Sequence, residues 1–237
     1  MRRPTRHLVG TVDPTLSLVA LTIANLAPLV GVFALGWDAS VIVLLYWAEN
    51  LVIGAYNILK IALVRTGSRL GVLGKAGAIP FFCLHFGAFC AVHGLFLLLL
   101  LGVDDGKSVF PEHTWPGHLV FLQLLFAVIA TLWRDHPAGL PWPVLGLVLS
   151  HGVSFVQNYV GKREYERLSV GDLMSQPYKR IVILHVAIIA GAFPVMALGS
   201  PAWLLCVLVL AKVGLDIKLH AKERQRAAGA SRPRAEA

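Results

Sequence analysis

The stretch 41–64, VIVLLYWAENLVIGAYNILKIALV, decides the fold class of this chain. Apolar residues fill most of it, and its carboxylate and its amine are confined to Glu49 and Lys60. An α-helix rises about 1.5 Å per residue, so about 20 residues cross the ~30 Å hydrocarbon core of a bilayer. The stretch is therefore long enough and apolar enough to form a membrane span.

The composition of the whole chain agrees with that interpretation. Of 237 residues, 57% are hydrophobic and 14% are charged, whereas soluble domains average roughly 45–50% and about 25%. This apolar excess excludes a disordered chain, and three cysteines exclude a disulfide scaffold. The net charge of +8 comes from Lys and Arg at the ends of apolar blocks. That distribution indicates membrane topology and not a nucleic-acid-binding face.

Six further apolar blocks flank the quoted stretch, and they occupy 16–35, 79–101, 118–133, 143–160, 181–198 and 201–215. Their lengths and polar seams predict an all-α fold, a polytopic transmembrane helix bundle. The fourth block, 118–133, is a weak candidate for a full crossing because it is short. We therefore expect six full spans plus a seventh short or peripheral helix formed by this block.

The distribution of basic residues supports that count. Basic residues cluster in the N-terminal segment, after the second block, after the fifth block and in the C-terminal tail. All four clusters face the cytoplasm, as the positive-inside rule requires, only if the fourth block does not cross fully. We expect both termini in the cytoplasm, one integral-membrane domain over 1–220 and a basic, disordered tail over 221–237.

Polar side chains inside the spans form stripes on single helix faces. An ionisable group within a span is costly and usually faces the bundle interior. At about 100° per residue, one arc of the second helix holds seven residues, six of them polar, with Trp47 opposite. They are Tyr46, Glu49, Asn50, Ile53, Tyr56, Asn57 and Lys60. Further polar residues lie within the third, fifth and sixth apolar blocks: His85, His93, His151, Asn158 and His185.

The histidines suggest a metal site. Counted from the cytoplasmic ends, His85, His151 and His185 lie at similar depths of roughly 9–14 Å. Imidazoles from three helices are suitable ligands for zinc, copper or iron, so we expect a divalent transition metal there. A second layer would contain His93, Asn50, Asn57 and Asn158. Haem is less favoured because it needs a facing histidine pair and a large cleft.

Glu49 is the candidate catalytic residue. It lies near the second layer, at a depth of roughly 22 Å, where a buried carboxylate could act as a general base. It could equally act as a metal ligand. If Glu49 has no functional role, we expect its carboxylate to be neutralised by Lys60 or held by Asn50 and nearby tyrosines.

Four strings of this sequence together resemble an uncharacterised bacterial family, domain-of-unknown-function family 6498. They are Tyr46-Trp47-Ala48-Glu49-Asn50-Leu51-Val52-Ile53-Gly54, His85 to His93-Gly94, Ser150-His151-Gly152-Val153-Ser154-Phe155 with Asn158-Tyr159, and His185-Val186-Ala187-Ile188-Ile189. The resemblance covers most of the chain. It implies a bacterial integral membrane protein and brings no established activity, substrate or cofactor. We expect the bacterial inner membrane as its location.

Other function classes stay open at this point. The polar stripes suit a transporter or channel pathway, and they equally suit a non-enzymatic scaffold with a hydrogen-bonded polar core. An intramembrane hydrolase is a minor alternative, since Phe81 and His85 match the Phe-x-x-x-His element of prenyl-type proteases while the paired glutamates of that family are missing. The expected partners are membrane lipids and not nucleic acid. The substrate and the oligomeric state stay unassigned.

Overall fold

The computed structural model describes residues 26–103, 109, 113–135 and 137–214. Within this part of the chain the fold is all-α, without strands. The first four helices are α1 (described over Leu26–Leu35), α2 (Ala39–Leu63), α3 (Arg69–Leu100) and α4 (Val120–Asp135), which a 3₁₀ turn over Gly117–Leu119 precedes. Helix α5 (Pro141–Ser154) continues as a π-helix over Phe155–Val160. A 3₁₀ turn (Glu164–Glu166), α6 (Val170–Ser175), α7 (Tyr178–Leu198) and α8 (Ala202–Gly214) follow.

Helix α2 lies at the centre of the bundle, between α3 and α5. It runs antiparallel to α3, because Trp47 Nε1 donates to the Cys90 carbonyl at 2.9 Å while Gly54, further along α2, lies against Phe86. It runs parallel to α5. The Tyr56 hydroxyl donates to the Val148 carbonyl, and further along both helices the hydroxyl of Tyr159, in the π-helix, donates to the Lys60 carbonyl. Both faces of α2 are therefore covered by other helices.

Helix α4 runs parallel to α3. Leu122 lies against Gly87, and Val128 lies against Gly94, so the two helices advance together and end at the same end of the bundle. Helix α4 therefore begins at the depth of Gly87 and not at the end of the bundle where α3 stops.

Helix α7 also runs parallel to α3, since Tyr178 contacts His85 and His185 contacts His93 further along. The ends of α2 and α5 therefore lie together with the starts of α3 and α7. We call this the basic end of the bundle because it carries Arg65, Arg69, Lys75, Lys162, Arg163 and Arg167.

Hydrogen bonds and ion pairs join the segments at the basic end. The Arg65 amide donates to the Tyr165 carbonyl at 2.8 Å, and its guanidinium pairs with Glu166 at 2.7 Å. Lys75 Nζ donates to the carbonyls of Ala62 and Val64 at 3.1 and 2.9 Å. A cation at this position satisfies carbonyls that lack intrahelical partners and complements the helix dipole at the end of α2.

The span count differs from the prediction. Four helices in the described part of the chain are long and apolar enough to cross a membrane: Ala39–Leu63, Arg69–Leu100, Gly117–Asp135 and Ile181–Leu198. The expectation of six full spans is therefore wrong for these residues. The helix of the fourth block is long enough to cross, because it begins and ends beyond the block. The α-helix of the fifth block is too short.

The fifth block is not among the candidate spans because its α-helix is short. The regular α-helix there is only 14 residues long, Pro141–Ser154, or about 21 Å at 1.5 Å per residue, before the π-helix begins. The first and seventh blocks extend outside the described residues, and their described helices are 10–17 residues long. The predicted tail over 221–237 and the predicted single domain over 1–220 also include residues outside the described part.

Candidate functional site

A polar cleft opens between α2 and α5 close to the basic end. Its volume is about 250 Å³. We call it the α2–α5 cleft, and it is lined by Ile53, Tyr56, Asn57, Lys60, His151, Ser154, Phe155, Gln176 and Pro177. Most of the polar stripe predicted for α2 therefore faces α5 and the segment after α6.

Asn57 closes one wall of the cleft. Its side chain is buried, with 4% of its surface exposed, and Nδ2 donates to the Leu173 carbonyl of α6 at 3.0 Å. Helix α6 begins with a capping box in which Ser169 and Asp172 exchange hydrogen bonds. The Ser169 hydroxyl and amide lower the pKa of the Asp172 carboxyl by hydrogen-bonding to its charged form. Asn57 thus holds a well-capped short helix against α2.

His151 lies on the α5 side of the cleft and faces Glu49. Its Nε2 is 3.6 Å from Glu49 Oε1, and both side chains are partly exposed. The imidazole also stacks on Tyr56, with ring centroids 6.5 Å apart, and Tyr56 is held by its hydroxyl, which donates to the Val148 carbonyl at 3.0 Å. Glu49 and Tyr56 therefore fix the His151 ring from two directions.

Lys60 supplies the positive charge of the cleft. Its Nζ lies 5.5 Å from the centre of the Tyr159 ring, within the range of a cation–π contact. Tyr159 is fully buried and its hydroxyl donates to the Lys60 carbonyl at 2.6 Å. None of the residues lining the cleft carries a carboxylate, so its lining is complementary to an anion.

Lys60 does not neutralise Glu49, as one alternative from the sequence supposed. The two residues are eleven positions apart on one helix, which places them roughly 16 Å apart along its axis. Asn50 is also not a cleft residue, since it is buried and its Nδ2 donates to the Tyr46 carbonyl one turn earlier at 2.8 Å. Asn158 Nδ2 donates to Ser154 Oγ on its own helix at 3.2 Å.

A second polar cluster joins α3 to α7, and its hydrogen bonds determine the tautomers. His93 Nδ1 lies 2.6 Å from the Phe89 carbonyl, which can only accept, so Nδ1 carries the proton. In a neutral ring His93 Nε2 then accepts, and it accepts from His185 Nδ1 at 2.8 Å. His93 is buried, whereas His185 is exposed in the described structure. The pair thus joins the two helices through one imidazole–imidazole hydrogen bond.

The structure does not bring together the three histidines predicted to share a metal. His85 is exposed and bonds Tyr178 through Nδ1 at 2.7 Å, His185 bonds His93, and His151 faces Glu49. Among the described residues no three His, Cys, Asp or Glu side chains form a group that could hold a metal ion. The predicted site of His85, His151 and His185, with its second layer, is therefore not supported. A common depth does not bring side chains together when α5 packs on α2 and α7 packs on α3.

We expect the histidine pair to act as a hydrogen bond that holds α3 to α7. In a double-mutant cycle of His93→Ala and His185→Ala, the coupling energy should be about 0.6 kcal/mol and at most ~1.7 kcal/mol, as for other hydrogen bonds within membranes. Unfolding of the purified chain in mixed micelles measures it. The matched cycle of His85→Ala with His185→Ala should show no coupling, and equal coupling in both cycles would contradict this assignment.

Two features of the cleft were not predicted from the sequence. Lys60 lies on the predicted stripe, but one alternative paired it with Glu49, although eleven positions separate the two residues on the helix. Gln176 follows α6 in a short turn, and no periodic pattern marks it because only the packing of α6 on α2 places it at the cleft.

The comparisons with known proteins give a family without an assigned activity. A family model described as "Family of unknown function (DUF6498)" matches residues 10–233. No curated protein and no solved structure matches the chain. Because the match covers nearly the whole sequence, the family that the four strings resemble is confirmed. The chain belongs to the DUF6498 family of unknown function.

Proposed function

We propose that this protein is an integral membrane protein that binds the anionic headgroup of a membrane amphiphile in the α2–α5 cleft. The observation that carries the proposal is the lining of the cleft, which combines the Lys60 ammonium with neutral hydrogen-bonding side chains and no carboxylate. An ammonium is a common partner of phosphate, and here it is half-buried, where salt screens a charge less than on an open surface.

The position of the cleft in the bundle supports a lipid as the source of that headgroup. The cleft lies near the basic end, which the positive-inside rule places at the cytoplasmic face. Anionic lipids attract clustered Lys and Arg at this face. We accordingly assign the protein to a bacterial inner membrane with its basic end and both termini in the cytoplasm. Helix α8 starts with Leu204 beside Gly191 of α7, and further along it Lys212 Nζ lies 5.1 Å from the centre of the Tyr46 ring on α2. It therefore turns back toward the basic end, which supports this orientation for the C-terminus.

Each polar side chain has a role in this proposal. Lys60 attracts the charge of the headgroup, while Ser154 and Gln176 offer hydrogen-bond donors to its oxygens. An imidazole held beside a carboxylate is a competent proton donor and acceptor. Glu49 therefore keeps its assignment as the candidate catalytic residue, and it would act on a bound headgroup through His151.

The alternatives drawn from the sequence have less support. A shared metal lacks a group of three ligands among the described residues. A transporter or channel pathway through His93 and His185 also has less support, because their chain of hydrogen bonds ends at the Phe89 carbonyl, which has no proton to pass on. The pair fits a polar link between two helices better than a pathway.

The test measures lipid binding to the purified full-length chain by native mass spectrometry. We expect wild type to bind phosphatidylglycerol more tightly than zwitterionic phosphatidylcholine. Lys60→Met should weaken phosphatidylglycerol binding at least tenfold, or about 1.4 kcal/mol, because it removes the cation of the cleft.

Lys162→Met is the matched control, since it removes the same charge from the exposed basic end outside the cleft. It should leave the affinity within twofold of wild type. Equal losses in both variants would show attraction to the basic end as a whole, and an unchanged affinity in Lys60→Met would refute the headgroup site.

A further inference from the structure

An apolar groove continues from the α2–α5 cleft along α5. Its first part has a volume of about 420 Å³ and shares Tyr56 with the cleft; its second part has a volume of about 470 Å³. The two parts share Val148. We call them together the α5 groove. The cleft and the groove thus form one series of spaces with a polar end and an apolar end.

The groove exists because α5 packs only loosely in the described bundle. No residue of Pro141–Ser154 is fully buried, and α5 lies mainly against α2. Beyond Val148, the walls are Trp47 and Leu51 of α2 and Leu132 of α4, and Leu145 lies on α5 itself. Apolar side chains from these three helices, with no charged group among the lining residues, suit a hydrocarbon chain.

The two ends of the groove match the two ends of a lipid. At the far end Trp133 and Trp142 are 79% and 78% exposed. At the near end the cleft offers Lys60. From Trp142 to Ser154, α5 advances about 18 Å at 1.5 Å per residue, which exceeds one leaflet, half of the ~30 Å hydrocarbon core. The groove is therefore long enough for the whole acyl chain of a lipid whose headgroup lies at the cationic end.

We propose that the α5 groove holds one long acyl chain of the same anionic lipid whose headgroup occupies the α2–α5 cleft. This inference rests on the proposed function and narrows the ligand to a long-chain amphiphile. A lipid of the ordinary surrounding shell would contact any apolar helix face equally. A chain in this groove instead makes the affinity for one headgroup depend on chain length and on the side chain at Val148.

Val148 is the position to change, because it lies where the two parts of the groove meet. Val148→Trp fills that junction. It leaves the hydrogen bond from Tyr56 in place, since the acceptor is the backbone carbonyl. Val182→Trp is the matched control, because Val182 is 58% exposed on α7 and lies outside the groove. Leu145→Trp is a second filling variant should Val148→Trp fail to fold.

The experiment compares dipalmitoyl with dihexanoyl phosphatidylglycerol, using native mass spectrometry of the full chain. Wild type should bind the long-chain lipid at least tenfold more tightly. Val148→Trp should lower the long-chain affinity to the short-chain level and leave short-chain binding within twofold, and Val182→Trp should match wild type.

Each other outcome has a distinct meaning. Undiminished long-chain affinity in both filling variants would overturn the groove and leave the headgroup site standing. An equal loss in Val182→Trp would overturn it as well, because it would show contact with surrounding lipid only. Failure of wild type to prefer phosphatidylglycerol at either chain length would instead overturn the proposed function itself.

Discussion

Replacing Trp47 with Ala is expected to destabilise the bundle by about 3 kcal/mol, the lower end of the ~3–5 kcal/mol range for large aromatic residues in protein cores. Trp47 is 3% exposed, its ring lies against Gly94 of α3, and its Nε1 donates to the Cys90 carbonyl at 2.9 Å. Truncation leaves a cavity between α2 and α3. We expect the lower end of the range because the hydrophobic effect does not drive helices together within a bilayer. Truncation therefore removes packing and a hydrogen bond only.

Two further variants divide this effect into its parts. Trp47→Phe keeps most of the packing and removes the hydrogen bond, so it should cost about 1 kcal/mol. Trp133→Ala removes an indole that is 79% exposed and should stay within about 0.5 kcal/mol of wild type. Equilibrium unfolding of the purified chain in mixed micelles measures all three. A Trp47→Ala variant as stable as Trp133→Ala would show that α2 and α3 do not pack through this residue.

Trp47 also shows what a helical wheel can and cannot reveal. Of the polar stripe predicted for α2, Tyr56, Asn57 and Lys60 line one cleft, whereas Asn50 bonds its own helix. Trp47, placed opposite, belongs to an equally buried face against α3. Periodicity separates the faces of a helix by polarity, but it does not tell whether the apolar face meets lipid or another helix, since both are apolar surroundings.

The fold class was predictable from the sequence because apolar block length and charge clustering are local properties. The number of spans was not. The fifth block is apolar throughout, yet its α-helix gives way to a π-helix at Phe155, and composition contains no sign of that change in hydrogen-bond pattern. The direction of α4 likewise depends on small residues of α3, Gly87 and Gly94, which admit Leu122 and Val128.

The structure gives no support for the predicted histidine site, for a related reason. Depth along a helix axis can be read from residue number, whereas the neighbours of that helix cannot. His151 lies on a helix that packs against α2, where it meets Glu49. His85 and His185 lie on α3 and α7, where they meet Tyr178 and His93 instead. A tertiary arrangement that pairs α2 with α5 and α3 with α7 therefore divides the predicted site into two.

Gly94→Ala is expected to destabilise the bundle by about 1–3 kcal/mol, the usual cost of overpacking a core. A Cβ at Gly94 would lie 2.6 Å from the Trp47 ring and 2.7 Å from Val128 Cγ1, both too close for real carbon contacts. Trp47 and Val128 are buried and belong to α2 and α4. Trp47 is held by its hydrogen bond to the Cys90 carbonyl and Val128 is fully buried, so these side chains or their helices must shift away from α3.

Gly77→Ala makes the identical change on the same helix, where a Cβ would meet nothing within 4 Å. Alanine favours a helix over glycine by about 1 kcal/mol, so this variant should equal or exceed wild type in stability. The two substitutions share their effect on the unfolded chain, and the difference between them isolates packing. Unfolding in mixed micelles should place Gly94→Ala below wild type and Gly77→Ala at or above it. Equal stabilities would mean that α2, α3 and α4 do not meet closely at Gly94. The position of Trp47 as a wall of the α5 groove would then also be in doubt.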